Sequence, residues 1–325
     1  MDVLLFLQLF SGLIYLLFGG DLLVRGAVAL ARKFHVPPMI IALTVVAFGT
    51  SLPELVVVVQ ATLTGYPGLV LGNVVGSNIA NVLLVAGAAA VVFPLTYGEH
   101  SVRRDTLFMV ATSVLLVFLS WSGALGLLDG AIMLGGLVVV NALTAGEAAR
   151  AFRDSELKAP LEWVLGLPTN MWVILLFIAA GAVFLPIGAE LVVDASVEIA
   201  AVLGVSDTVV GLTVLAVGTS LPELATTVSA AIRKRTDVAI GTIVGSNMFN
   251  ILAILGVAAA ISPQPIVVPR GFFSLDFPVM LGAALAISAL AWLKRPVGRT
   301  AGVIFLVAYA AYLLLLVLRT QGLVF

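Results

Sequence analysis

The chain has 325 residues, of which 62% are hydrophobic and only 10% charged, with a formal net charge of −1. An average soluble domain is roughly half apolar and a quarter charged, so this composition excludes a soluble globular protein and predicts a polytopic membrane protein. With no cysteine and only two histidines, His35 and His100, disulfides and thiolate metal sites are excluded, and a histidine zinc site lacks its ligands.

The opening stretch, MDVLLFLQLFSGLIYLLFGG, carries neither a basic n-region nor a small-residue cleavage site, and reads as a first transmembrane helix. A span needs about 20 apolar residues. Apolar runs predict ten spans, at 3–31, 38–63, 69–93, 105–121, 125–147, 171–200, 207–232, 238–262, 272–293 and 300–319. Alternate connections hold Arg32 and Lys33; Arg103 and Arg104; Arg150, Arg153 and Lys158; Arg233, Lys234 and Arg235; and Lys294, Arg295 and Arg299, which is thirteen of the sixteen basic residues. By the positive-inside rule this side is cytoplasmic and both termini are extracytoplasmic. The expected location is the cell membrane, with lipid as the surroundings and no nucleic-acid partner.

The second predicted span contains GTSLPEL, Gly49–Leu55, and the same seven residues return at Gly218–Leu224, 169 positions on. At the same offset, GSN at Gly76–Asn78 returns at Gly245–Asn247, and Asn81 as Asn250. The chain is therefore a duplicated half: residues 1–147 a first five-helix repeat, 148–170 a cytoplasmic connection, and 171–325 a second repeat. Five is odd, so the halves are inverted in the membrane. The expected fold class is an all-α membrane protein of ten helices in two inverted repeats, with helices 2 and 7 broken, a sequence pattern of secondary transporters.

Both breaks carry a proline and a glutamate. Proline lacks an N–H and clashes with the preceding turn. An ionisable side chain at membrane depth costs roughly 2.5–3.5 kcal/mol on insertion scales. Irregular backbone at that depth persists where it lines a cavity or is buried in protein. Pro53 and Pro222 are expected to free carbonyls near Gly49 and Gly218. With Thr50, Ser51 and Glu54, and with Thr219, Ser220 and Glu223, these form an all-oxygen cluster suited to hard cations such as Ca²⁺ and Na⁺. Sulfur and imidazole are absent from it, which argues against zinc, copper or iron. Ser77 and Asn81 are four apart, on one helix face, and Ser246 and Asn250 repeat this. Gly72, Gly76, Gly241 and Gly245 are small enough for close helix approach. Asp21/Arg25 and Glu190/Asp194 read as structural or interfacial pairs. Asp129, Asp207, Asp237 and Asp276 are expected to be solvated at helix ends, and His35 and His100 to lie in surface loops.

These paired segments, GTSLPEL…GSNIAN and GTSLPEL…GSNMFN, resemble the two alpha-repeats of the sodium/calcium exchanger family of the calcium/cation antiporters, and the likeness covers nearly the whole chain. The resemblance implies ten helices, Na⁺/Ca²⁺ antiport with about three Na⁺ per Ca²⁺, and Ca²⁺ and Na⁺ bound as cargo without a cofactor. It implies that Glu54 and Glu223 are the central Ca²⁺ ligands, and that Thr50, Ser51, Thr219 and Ser220 add oxygens. Ala47 and Ala216 match backbone-carbonyl positions, Ser77 and Ser246 flanking Na⁺ positions, and Asn81 and Asn250 central polar positions. The first and sixth helices would move across a static core. Asparagine at 250, where K⁺-dependent relatives have aspartate, resembles the K⁺-independent type. The short connection between halves resembles prokaryotic members. An H⁺/Ca²⁺ antiporter is the alternative, because buried glutamates can carry protons. A channel is disfavoured because the site comes from two halves of one chain rather than a ring of subunits. No enzyme is expected: no nucleophile–base set or metal triad is visible.

Overall fold

The computed structural model describes residues 3–34, 51–97, 100–154, 167–232, 234 and 236–320. Helices dominate, in the order α1 (Val3–Lys33), α2 (Leu52–Leu63), α3 (Pro67–Val92), α4 (His100–Ser120), α5 (Leu127–Asp154), α6 (Met171–Leu203), α7 (Asp207–Thr219), α8 (Leu221–Ile232), α9 (236–261), α10 (Phe272–Trp292) and α11 (Arg299–Thr320). The two-residue strands β1 (Ala124–Leu125) and β2 (Ile266–Val267) pair antiparallel, with Ala124 opposite Val267. Among the described residues six helices are long and apolar enough to cross a membrane, or seven when the bent pair α7 and α8 forms one span. The protein is thus a multi-pass, mostly helical membrane protein.

Element bounds repeat with the sequence. Leu52–Leu63 is matched 169 residues later by Leu221–Ile232, and Pro67–Ala80 by Thr236–Phe249. In α3 and α9 the α-helix is then interrupted by a π turn, at Asn81–Ala86 and at Asn250–Leu255. Such wider turns occur mostly as single insertions and often at functional sites; both begin at the repeated asparagine. α3 is apolar around nearly its whole circumference and is buried from Gly68 to Leu83, as expected of a helix at the centre of a bundle.

α1 and α6 lie antiparallel along one another. The contact is closest at glycines seven residues apart, a spacing that returns nearly to the same helix face. A Cβ added at Gly12 would sit 2.9 Å from the Gly188 carbonyl oxygen, one at Gly188 2.8 Å from that of Gly12, and one at Gly181 2.7 Å from that of Gly19. Backbone therefore meets backbone, and a side chain at these positions must separate the helices. Gly188→Val is expected to destabilise the protein by about 1–3 kcal/mol, a typical overpacking cost. Gly135→Val, at a position where an added Cβ meets no described atom within 4 Å, is the control. A melting temperature equally affected in both would show that the α1–α6 contact is not the cause.

Several boundaries differ from the sequence expectation. α5 continues to Asp154, seven residues beyond its predicted end, because the alanine-rich AGEAARAF stretch has high helix propensity. His100 opens α4 rather than lying in a loop; His35 lies outside the described residues. Asp276 falls inside α10, which begins at Phe272, so it is 2% exposed rather than solvated. Its carboxylate accepts the Tyr312 hydroxyl at 2.8 Å and lies 3.8 Å from Arg319, tying α10 to α11. Asp21 and Arg25 do pair, at 2.8 Å on an exposed face.

Candidate ion-binding site

The site is assembled from the α7–α8 break, the start of α2, and the middle of α3 and α9. α7 and α8 meet at 41° around Ser220. Pro222 stands in the first turn of α8 and Pro53 in the first turn of α2. A proline is well tolerated there, because the N–H it lacks would have had no intrahelical partner. The proline therefore does more than break a helix: it starts a new one. Glu54 and Glu223 fall in the first turns of α2 and α8, at the helix end where unpaired N–H groups favour negative charge.

Glu54 and Glu223 are each 1% exposed. Their partners cross between the halves. The Ser51 hydroxyl donates to Glu223 Oε1 at 3.3 Å, and the Ser220 hydroxyl donates to Glu54 Oε1 at 3.4 Å. Each serine of one copy thus binds the glutamate of the other. Ser246 on α9 also donates to Glu223 Oε1, at 3.4 Å. Thr219 donates to the Leu215 carbonyl at 3.0 Å and accepts from Asn73 Nδ2 at 3.2 Å. The buried Ala216 carbonyl accepts the Ser220 N–H at 3.2 Å, which leaves one of its two lone pairs. Ser77, Asn81 and Asn250 are buried, and the Ser77 hydroxyl, Asn81 Oδ1 and both amide atoms of Asn250 have no hydrogen-bond partner among the described residues. Buried polar groups are rarely left so; oxygens without donors are what a desolvated cation would take up.

Hydrogen bonds thus tie Ser51 and Ser246 to Glu223, Ser220 to Glu54, and the Ala216 carbonyl to the Ser220 N–H, next to Thr219. Ser77, Asn81 and Asn250 are buried on α3 and α9, where no hydrogen bond joins the Ser77 hydroxyl, Asn81 Oδ1 or the Asn250 amide to either glutamate. Ala47 and Thr50 lie outside the described residues. The close-approach glycines divide: a Cβ at Gly72 would meet the Thr208 carbonyl at 2.6 Å and one at Gly76 the Leu212 carbonyl at 2.8 Å, whereas Gly241 and Gly245 have no described atom within 4 Å. Residues 38–46, which the repeat matches to Asp207–Leu215, lie outside the described residues. No group of three or more His, Cys, Asp or Glu occurs among the described residues, so the centre holds two acids amid neutral oxygens. A separate cavity of about 370 Å³ lies where α7 begins and α11 ends, lined by Ser206, Thr208, Asp276 and Arg319 among others but by no residue of this centre.

Sequence reasoning missed Asn73, Asn78, Asn247 and Met109, all of which are buried at or beside the centre. The signal for Asn78 and Asn247 was present: they are the asparagines of the two GSN motifs, repeated at the same offset as the glutamates.

Comparison with known proteins gives the family. A model of the family described as "Sodium/calcium exchanger protein" matches residues 4–145 and 172–318. The chain belongs to the sodium/calcium exchanger family. It is 36% identical over 94% of its length to the putative antiporter CaxA of Alkalimonas amylolytica, covering 96% of that protein. It is 31% identical over 96% of its length to the sodium/calcium exchanger MaX1 of Methanosarcina acetivorans, covering 98% of it. Its fold matches the sodium-calcium exchanger NCX_Mj with a TM-score of 0.64 at 28% identity, over 96% of this chain and 98% of that one. The chain is accordingly a membrane transporter of prokaryotic exchanger type and not an enzyme.

Proposed function

We propose that the protein is an electrogenic Na⁺/Ca²⁺ antiporter that works by alternating access. The observation that carries this reading is the pair of buried carboxylates, Glu54 and Glu223, each held by a serine from the opposite repeat. Two carboxylates and many neutral oxygens suit Ca²⁺, which takes six to eight oxygen ligands. The same hydroxyls, carbonyls and amides can hold several Na⁺ in its place. The names of MaX1 and NCX_Mj, both sodium/calcium exchangers, support the same ion pair. Thr50, Ser51, Ser77, Asn81, Thr219, Ser220, Ser246 and Asn250, with the Ala47 and Ala216 carbonyls, complete the ligand set in this reading. An H⁺/Ca²⁺ antiporter uses the same carboxylates, with protons in place of Na⁺.

The deciding measurement is ⁴⁵Ca uptake into proteoliposomes under an imposed Na⁺ gradient, an imposed H⁺ gradient, or neither. Uptake that follows the Na⁺ gradient supports the proposal. Uptake driven by a pH gradient with no Na⁺ present would replace it with the H⁺-coupled reading.

The same reading gives ten spans in two inverted halves, 1–147 and 171–325, joined by a cytoplasmic 148–170 segment, with both termini outside. It is supported by the 169-residue repeat and by the one-sided distribution of basic residues. The chain has no cysteine, so a single cysteine at Ser155 reports one position. An impermeant thiol reagent added to intact cells is expected to leave Ser155→Cys unlabelled until the membrane is permeabilised. Labelling of intact cells would reverse the assigned orientation.

A further inference from the structure

We propose that Asn247 is a positioning residue that fixes the amide of Asn81, so that Asn81 Oδ1 rather than its NH₂ faces the ion site. The inference rests on the reading of Asn81 as an ion ligand given above. It follows from a chain of donors and acceptors that begins at an atom with no ambiguity. A backbone carbonyl can only accept. The Asn78 carbonyl oxygen lies 3.3 Å from one amide arm of Asn247, so that arm is Nδ2. Met109 Sδ, a weak acceptor, lies 3.6 Å from the same nitrogen. The other arm of Asn247 is therefore Oδ1, and it faces the amide of Asn81 at 3.1 Å. An oxygen there requires a donor, so Asn81 turns Nδ2 toward Asn247. Asn81 Oδ1 is left on the opposite arm, buried and without a partner among the described residues.

The orientation matters because the two arms of an amide act oppositely on a cation. Oxygen is a hard ligand, whereas the NH₂ group carries partial positive charge and repels. Groups behind a metal ligand commonly set its orientation in this way, and their loss typically costs about 10–100-fold in affinity.

The second copy lacks the relay. Asn78 matches Asn247 and Asn250 matches Asn81 at the 169-residue offset, yet both amide atoms of Asn78 and of Asn250 are without hydrogen-bond partners among the described residues. A nearly symmetric sequence thus yields an asymmetric centre. One amide is held by a hydrogen bond, and its counterpart is held by no described residue.

The test is a double-mutant cycle on the full-length protein, read by two titrations with CaCl₂ or NaCl: the melting temperature of the purified protein in detergent, and the half-saturating concentration for exchange in proteoliposomes. Asn247→Ala is expected to raise the half-saturating concentration of at least one of the two ions about tenfold. Asn247→Leu, branched at the same carbon as asparagine, larger, and unable to hydrogen-bond, is expected to do the same. In an Asn81→Ala background, where no oxygen remains to orient, Asn247→Ala should have no further effect. In an Asn81→Asp background, where both arms are oxygen, it should also have none. The same loss in the Asn81→Ala background as in the parent, or unchanged ion dependence in the single variants, would overturn the proposal. So would loss of the fold in both Asn247 variants, which would assign the residue a structural role. A parent protein showing no response to either ion would instead refute the proposed function.

Discussion

Glu54→Gln and Glu223→Gln are each expected to reduce Ca²⁺ exchange by on the order of 100-fold or more while the protein still folds. A charged ligand should matter more than the orienting groups behind it, whose loss costs about 10–100-fold, and an amide oxygen is a poor substitute for a carboxylate toward Ca²⁺. The fold should survive because glutamine keeps the side-chain length, and Ser51 and Ser220 can rotate their hydroxyls to accept as well as donate. Burying two like charges without a cation is costly, so replacing one by a neutral amide should leave the melting temperature in ion-free buffer equal or higher. The Ca²⁺-dependent rise in melting temperature should disappear in the same variants. Near-normal uptake by either variant would remove these carboxylates from the transport site.

Membrane potential should shift the exchange equilibrium by about 50-fold per 100 mV. The ionised site carries about −2 from Glu54 and Glu223. One Ca²⁺ neutralises it, and three Na⁺ leave it near +1. A full crossing of one charge is worth about 2.3 kcal/mol per 100 mV, and about 1.4 kcal/mol is a factor of ten. An inside-negative potential should therefore favour Na⁺ entry and Ca²⁺ extrusion. Proteoliposomes clamped with K⁺ and valinomycin give the measurement directly, as the internal Ca²⁺ reached at equilibrium for each imposed voltage. Two Na⁺ or two H⁺ per Ca²⁺ would move no net charge, so an equilibrium indifferent to voltage rejects the three-for-one count.

Acid should inhibit exchange through the same two side chains. Protonation removes the negative charge that draws a cation to a carboxylate, and the centre has no third acid among the described residues to stand in. Raising the Ca²⁺ concentration should relieve the inhibition if competition is its cause.

Much of the centre was legible before any coordinates. The glutamates stand out as ionisable groups in apolar runs, and the return of GTSLPEL at a constant offset weighs against mere packing for Ser51/Ser220 and Glu54/Glu223, less so for Ser77/Ser246. The role of proline was only half legible. A proline in an apolar run predicts an interruption, but that Pro53 and Pro222 each open a fresh helix with the glutamate in its first turn depends on where the chain resumes hydrogen bonding. Asp276 shows the opposite failure: near a helix end in the sequence, it is enclosed because α11 packs over it and supplies Tyr312 and Arg319.

The sequence by itself determined the membrane environment, the duplication and the identity of the two acids, because these depend on composition and on exact recurrence along the chain. Only the tertiary structure decided which groups meet. That Ser51 serves Glu223 while Ser220 serves Glu54 is a contact between halves, which no local pattern encodes. That Asn247 holds Asn81, while no described residue holds Asn250, is likewise decided in space, around two almost identical motifs. Recurrence in sequence specifies equivalent residues; hydrogen bonding, which is directional and short-ranged, makes them inequivalent.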